Sequence, residues 1–281
     1  MLFEKILICT DFSTPSKLLF NCVPELINLG LKEVIIIHVV DIKSAGGNVE
    51  IFQKNDEDKL NEIKIQLEEM ELNVSIKVPA GFPVEEIVKT GQEENVSLIL
   101  MASHGAGIIK SLFLGSTTFD TIRISTIPIL IEKFKDIESE KCEAYCAEKF
   151  KKIVIPIDFS ESSYKVAEEI KKVGKVIEEI RFISVIEKSK SVDELEKSKR
   201  EAEEKLNLLK EDFVSSGYRV KTHIKEGTAS KKIMETAEKE GASLITLSKH
   251  GAGTVKGILI GSTADAIARQ SKIPVLLFPY E

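Results

Sequence analysis

Long apolar runs are absent from this chain of 281 residues. The longest, such as Val34–Ile37, fall far short of the roughly 20 residues a membrane-spanning helix needs, so no membrane partner is expected. Met1–Lys5 leads straight into strand-like sequence, with no basic n-region, apolar stretch or small-residue cleavage site. The expected location is the cytoplasm. Cysteine is scarce, and four in a chain of this length make no disulfide framework. Cys9, in the first strand, and Cys22, in the first helix, read as buried free thiols. Cys142 and Cys146 have no further Cys or His nearby to complete a metal site, and their segment reads as a spacer helix. A large charge imbalance is missing too. The net charge of −6 gives no reason to expect a nucleic-acid partner. Finally, no Gly-x-x-x-x-Gly-Lys-Ser/Thr occurs, which excludes P-loop ATPase chemistry.

What is present is a repeat. The composition, 43% hydrophobic and 30% charged, is that of an ordinary soluble protein, and the length suggests about two domains. Met101–Thr117 and Leu247–Thr263 each contain His-Gly-Ala-Gly, a lysine three residues on (Lys110, Lys256), an apolar run and Gly-Ser-Thr. Asp11-Phe-Ser13 and Asp158-Phe-Ser160 stand 147 residues apart. Gly105 and Gly251, Gly115 and Gly261, and Pro128 and Pro274 stand 146 apart. A duplicated domain explains these offsets. The expected boundaries are 1–134 and 151–281, with the charged stretch 135–150 as linker.

Within the first copy, strands are expected over Glu4–Thr10, Glu33–Val40, Asn73–Val78, Ser97–Met101 and Ile127–Ile131. Between them the pattern predicts a helix from Ser13 or Thr14 to about Leu29, a long amphipathic helix over 52–70, one from Pro83 to about Glu94, and one over Ser116–Ile124. From Lys152 the order restarts. Strand and helix in strict alternation predict a parallel sheet covered on both faces, with right-handed crossovers. The fold class is α/β: two tandem doubly wound parallel-sheet domains.

In such sheets ligands bind beyond the carboxyl ends of the strands, where the strand order reverses. The first strand ends in Asp11 or Asp158, and the fourth in a glycine loop. A loop that opens a helix with Gly-Ser-Thr makes an anion site, because unpaired amides and the helix dipole point at the ligand. Glycines let the backbone approach closely, and the hydroxyls add donors. His104 and His250 lack a nucleophile and a third orienting group for triad chemistry. His38, at a strand end, reads as a packed, hydrogen-bonded histidine.

These residues resemble the universal stress protein family. The signature is glycine, two residues, glycine, nine residues, then Gly-Ser or Gly-Thr; Gly105 with Gly115-Ser116 and Gly251 with Gly261-Ser262 fit it. The Asp-Phe-Ser strand ends, His38-Val39 and the Ile-Pro-Ile-Leu or Ile-Pro-Val-Leu last strands are also similar. The likeness covers nearly the whole chain, twice over. The chain departs from the signature at its first glycine, which is Ala102 in one copy and Ser248 in the other; were that backbone left-handed, a side chain would cost about 1–2 kcal/mol.

The resemblance implies domains similar to the adenine nucleotide alpha hydrolases, with strand order 3-2-1-4-5. It implies pairing of the two apolar last strands into an intramolecular pseudo-dimer, and it admits a homodimer. It implies bound ATP or AMP, with Mg accompanying ATP. Asp11 and Val39 would contact the adenosine end, beside Ala102, and Gly105, Gly115, Ser116 and Thr117 would cradle the phosphates. Asp158, Val185, Ser248, Gly251, Gly261, Ser262 and Thr263 would repeat those roles. The function implied is a nucleotide-binding stress-response regulator. The competing reading is an interaction protein that binds no nucleotide, which Ala102 and Ser248 favour. No general base or metal cluster is evident, so turnover beyond slow ATP hydrolysis or autophosphorylation is not expected.

Overall fold

The computed structural model describes residues 2–104, 114–135, 143–144, 148–187, 191–252 and 259–280. The chain divides into two compact units, Met1–Ala147 and Glu148–Glu281. Gly105, Lys110, Cys142, Cys146 and Lys256 lie outside the described residues.

The first unit is built on five parallel strands: β1 (Lys5–Cys9), β2 (Glu33–Ile37), β3 (Asn73–Lys77), β4 (Leu98–Ala102) and β5 (Ile129–Glu132). They lie side by side as β3-β2-β1-β4-β5, the expected 3-2-1-4-5. The central strands are continuous runs of Ile, Leu and Val because both of their faces are covered; Leu7, for example, is opposite Ile35 on one side and Ile99 on the other, and all three are fully buried. The crossovers carry helices α1 (Thr14–Leu18), α2 (Val23–Ile27), a short α3 (Ile42–Ala45), α4 (Val49–Glu68), α5 (Pro83–Glu93) and α6 (Ser116–Ile124).

The second unit repeats the plan with β6 (Lys152–Pro156), β7 (Glu179–Ile186), β8 (Arg219–Glu226), β9 (Leu244–Ser248) and β10 (Val275–Phe278), ordered β8-β7-β6-β9-β10. Its helices are α7 (Glu161–Val173), α8 (Val192–Ser215), α9 (Ala229–Glu240) and α10 (Ser262–Gln270). The mixed α/β class and the tandem arrangement of like units are as expected.

Four local differences from expectation have physical causes or consequences. The first helix is not continuous: α1 and α2 are separated by a 3-10 turn over Leu19–Cys22. Pro24 has no amide to donate to the carbonyl of Phe20, and Val23 N–H bonds there with 3-10 spacing instead. The second strand stops at Ile37, and Val40–Asp41 forms a separate two-residue ladder with Ala80–Gly81; His38 and Val40 still donate to the Lys77 and Pro79 carbonyls. After β5, Phe134–Lys135 pairs antiparallel with Glu143–Ala144, so strand stands at 143–144 where a spacer helix was expected. Cys22 is disulfide-bonded, which overturns its reading as a free thiol. Its partner is not among the described residues. Cys9 is the buried free thiol expected, and burial raises its pKa.

Candidate functional site

The turn after the first strand is the same in both units and is backed by a strained residue. Phe12 and Phe159 adopt left-handed backbone, with φ of 61° and 63°, a conformation costing a non-glycine residue about 1–2 kcal/mol. Their rings are held from above by lysines of the long helices: Lys59 Nζ lies 4.7 Å from the Phe12 centroid, and Lys205 Nζ lies 5.0 Å from that of Phe159. Such cation–π contacts offset part of the strain. The reversal lets the preceding aspartate fold back on the turn. Asp11 Oδ1 accepts from the Ser13 amide and hydroxyl, and Asp158 Oδ1 does the same with Ser160. Ser13 and Ser160 in turn cap α1 and α7. The repeated Asp-Phe-Ser, with Lys59 and Lys205 spaced 146 residues apart, was the available signal for this device, and sequence reading passed over it.

The other wall is the start of α6 in the first unit and of α10 in the second. Gly115 and Gly261 occupy the N-cap positions of α6 and α10. Their amides donate to the carbonyls of Ser103 (2.8 Å) and Lys249 (2.7 Å), just past the fourth strand. Each helix N-terminus is thereby sewn to a strand end. Thr118 adds a bond from Oγ1 to the Ala102 carbonyl at 2.9 Å. Ala102 and Ser248 end their strands in ordinary extended backbone, absent from the left-handed residues. The feared strain at the missing glycine does not arise. Ser248 Oγ instead donates to the Tyr280 carbonyl at 2.8 Å.

Gly251 is required for a steric reason. A Cβ there would sit 2.6 Å from Asp158 Oδ2, the atom that accepts the Ala252 amide at 2.7 Å. Desolvation pushes the Asp158 carboxyl up, but hydrogen bonds from Ser160 and from the Ala252 amide outweigh it and hold the pKa below the ordinary value. Asp158 therefore stays ionised at neutral pH. It ties the first strand's turn to the glycine loop across a sequence gap of 94 residues.

The two walls enclose a crevice in each unit. That of the first, about 420 Å³, brings together Asp11, Val39, Ala102, Gly115, Ser116 and Thr117. That of the second, about 500 Å³, brings together Asp158, Val185, Ser248, Gly251, Gly261, Ser262 and Thr263. Both volumes suit a small organic ligand. Every expected residue within the described part lines its crevice. His38, Asp41 and His104 also line the first, and Glu187 and Lys249 the second; of these the sequence drew attention only to His38, as a packed histidine, and to His104, as one without triad partners. His104 is neutral at neutral pH, because burial and then the charge of Lys133 lower its pKa to about 4. Its Nδ1 is hydrogen-bonded to Ser103 Oγ at 2.8 Å. Among the described residues no group of His, Cys, Asp or Glu is arranged to hold a metal ion.

The class that fold and site define is a doubly wound α/β domain with a strand-end aspartate and a Gly-Ser helix start at one crevice. The family model for the universal stress protein family matches residues 2–133 and again 149–279. The chain belongs to that family, in tandem form. It is similar to the universal stress protein MJ0577 of Methanocaldococcus jannaschii, 34% identical over 159 residues, covering 48% of this chain and 98% of that protein. A second protein of that organism, the universal stress protein MJ0531, is 33% identical over 138 residues, covering 46% of this chain and 81% of its own. The crystal structure of a universal stress protein from Archaeoglobus fulgidus is similar over 99% of both chains, with 26% identity and a TM-score of 0.80.

Proposed function

We propose that this protein is an adenine-nucleotide-controlled regulator of the stress response, holding ATP or AMP in its crevices. The observation that carries this reading is the duplicated convergence of a strand-end aspartate, a strand-end valine and a Gly-Ser-Thr helix start on one crevice per unit. The aspartate is an acceptor suited to sugar hydroxyls, the apolar strand ends suit a purine face, and the helix N-terminus suits a phosphate. Asp11 and Val39 take the adenosine end of one nucleotide, and Asp158 and Val185 that of the other. Gly115, Ser116 and Thr117, or Gly261, Ser262 and Thr263, take the phosphates. Membership of the family supports the stress role. No described helix is long and apolar enough to cross a membrane, and the cytoplasm is the proposed place of action, testable by cell fractionation.

The test is calorimetric titration of nucleotide-stripped protein with ATP and with AMP, each with and without Mg. Micromolar binding corresponds to about 8 kcal/mol. Gly115→Asp places a carboxylate at the cap of α6, and Gly261→Asp does so at α10; each is expected to abolish one binding event. No heat with any nucleotide would instead favour the second reading, an interaction protein whose glycine loops are structural turns. Pairing of the last strands, 127–131 with 273–278, is proposed alongside. A chain cleaved within 135–150 should elute as one two-fragment particle, and separate fragments would sink that idea.

A further inference from the structure

The two crevices are not copies in one respect, and the difference lies behind the wall that carries Asp11. His38 follows β2 and lines the first crevice. Its Nδ1 lies 2.9 Å from the Thr10 carbonyl, which can only accept, so Nδ1 donates. Its Nε2 lies 3.3 Å from Oδ2 of Asp56, a carboxylate of α4 that is 6% exposed. Asp56 Oδ1 is in turn 2.7 Å from Lys59 Nζ, the ammonium that covers Phe12. The Phe12 ring closes the circuit against the imidazole, with centroids 4.5 Å apart. Thr10 is the hub: its carbonyl takes His38, and its hydroxyl accepts the Phe12 amide at 3.1 Å and meets Ser16 Oγ at 3.0 Å.

The second unit keeps the phenylalanine and the lysine and replaces the rest. At the offset of 146 that matches Lys59 with Lys205 and buried Leu60 with buried Leu206, His38 becomes Ser184 and Asp56 becomes Ala202, both buried. Ile157 stands where Thr10 does, 147 residues on. In the second unit Asp158 accepts the Ala252 amide, and Ser162 Oγ donates to the His250 carbonyl at 3.1 Å. A buried polar pair that the matching unit replaces with Ser and Ala is weak evidence for stability. That the second unit folds to the same plan without it points to a role at the crevice.

We propose that His38, oriented by Asp56, is a positioning residue of the first crevice: it fixes the Thr10 carbonyl and so presents the Asp11 carboxylate to a nucleoside hydroxyl. The proposal rests on the nucleotide reading given above. It makes the first crevice depend on a histidine that the second does without.

The test uses the full chain carrying Gly261→Asp, which leaves the first crevice to be read alone. Into it go His38→Ser with Asp56→Ala, the residues the second unit itself carries, and separately His38→Asn, whose amide nitrogen can take the place of Nδ1. Losing a hydrogen bond of this kind corresponds to about a three- to tenfold change in affinity. The double variant is expected to bind ATP and AMP weaker by that factor, and His38→Asn to stay near the Gly261→Asp parent.

Amide exchange of the ligand-free proteins supplies the second readout. Phe12 and Ser13 are expected to exchange faster in the double variant, while Phe159 and Ser160, the matching turn, stay unchanged as internal reference. Unchanged affinity in the double variant overturns the proposal, and so does unchanged exchange at Phe12 and Ser13. If the parent binds no nucleotide, the nucleotide reading fails; the exchange comparison still decides whether His38 positions the turn.

Discussion

Phe12 and Phe159 carry positive φ in the same turn of both units, and each is covered by the lysine of a long helix. The strain is local and the compensation comes from an element far away in sequence. Gly251 presents the opposite case, an ordinary backbone with no room for a side chain. Gly251→Ala would place Cβ against Asp158 Oδ2 and force the carboxylate off the Ala252 amide. The expected cost is about 1–3 kcal/mol, read as a lowered urea midpoint. His104 makes stability depend on pH. Its folded pKa of about 4 lies below the ordinary 6.5, so between those values the unfolded chain binds more protons than the folded one. The contribution is fully present above about pH 6.5 and is lost as pH falls toward about 4. Denaturant midpoints measured across that window should fall less steeply in His104→Asn than in the wild type, and parallel slopes would refute the assignment.

At the scale of elements, the fourth strand and the helix after it act as one part. The bonds from Gly115 to Ser103 and from Thr118 Oγ1 to Ala102 hold α6 at a set height above the sheet. Thr118→Val removes the second of these at a buried position and should destabilise the protein by about 1 kcal/mol. The second unit has Ala264 there, 146 residues on, and lacks this hydroxyl, so α10 offers no matching bond to lose. The disulfide at Cys22 belongs to this scale as well, since it fastens the 3-10 turn between α1 and α2. Alkylation under non-reducing, native conditions should leave Cys22 unmodified. Reductant should lower the thermal midpoint by an amount corresponding to about 2–4 kcal/mol. An alkylated Cys22 in unreduced protein would contradict the structure.

For the whole molecule the consequence of the proposed nucleotide in each crevice is additive linkage. A ligand present at 100 times its Kd stabilises the folded state by about 2.7 kcal/mol per site. ATP should therefore raise the thermal midpoint of the wild type more than that of Gly115→Asp or Gly261→Asp, and the double variant should not respond. A full response in either single variant would place the ligand elsewhere.

The α/β class and the tandem repeat were legible in the chain's own pattern, and the strand order through its resemblance to the universal stress protein family. Continuous Ile, Leu and Val runs alternating with amphipathic segments admit few arrangements, and a fixed offset of 146 or 147 residues betrays duplication without any structure. The crevice was largely legible too, because a doubly wound sheet puts ligands at the strand ends where the order reverses. Four things needed the tertiary structure. Ala102 and Ser248 carry no backbone strain because their backbone is extended, and φ is not written in a residue name. Cys22 proved bonded, since a disulfide depends on which distant segment comes near it. Phe12 and Phe159 proved strained and covered, through lysines 47 and 46 positions further on. The His38–Asp56 pair joins a strand end to a helix 18 residues away. Local pattern determines which elements form, because helix and strand each need only a periodic apolar face. Which side chains meet across elements is set by packing in three dimensions, and that is where the two units part company.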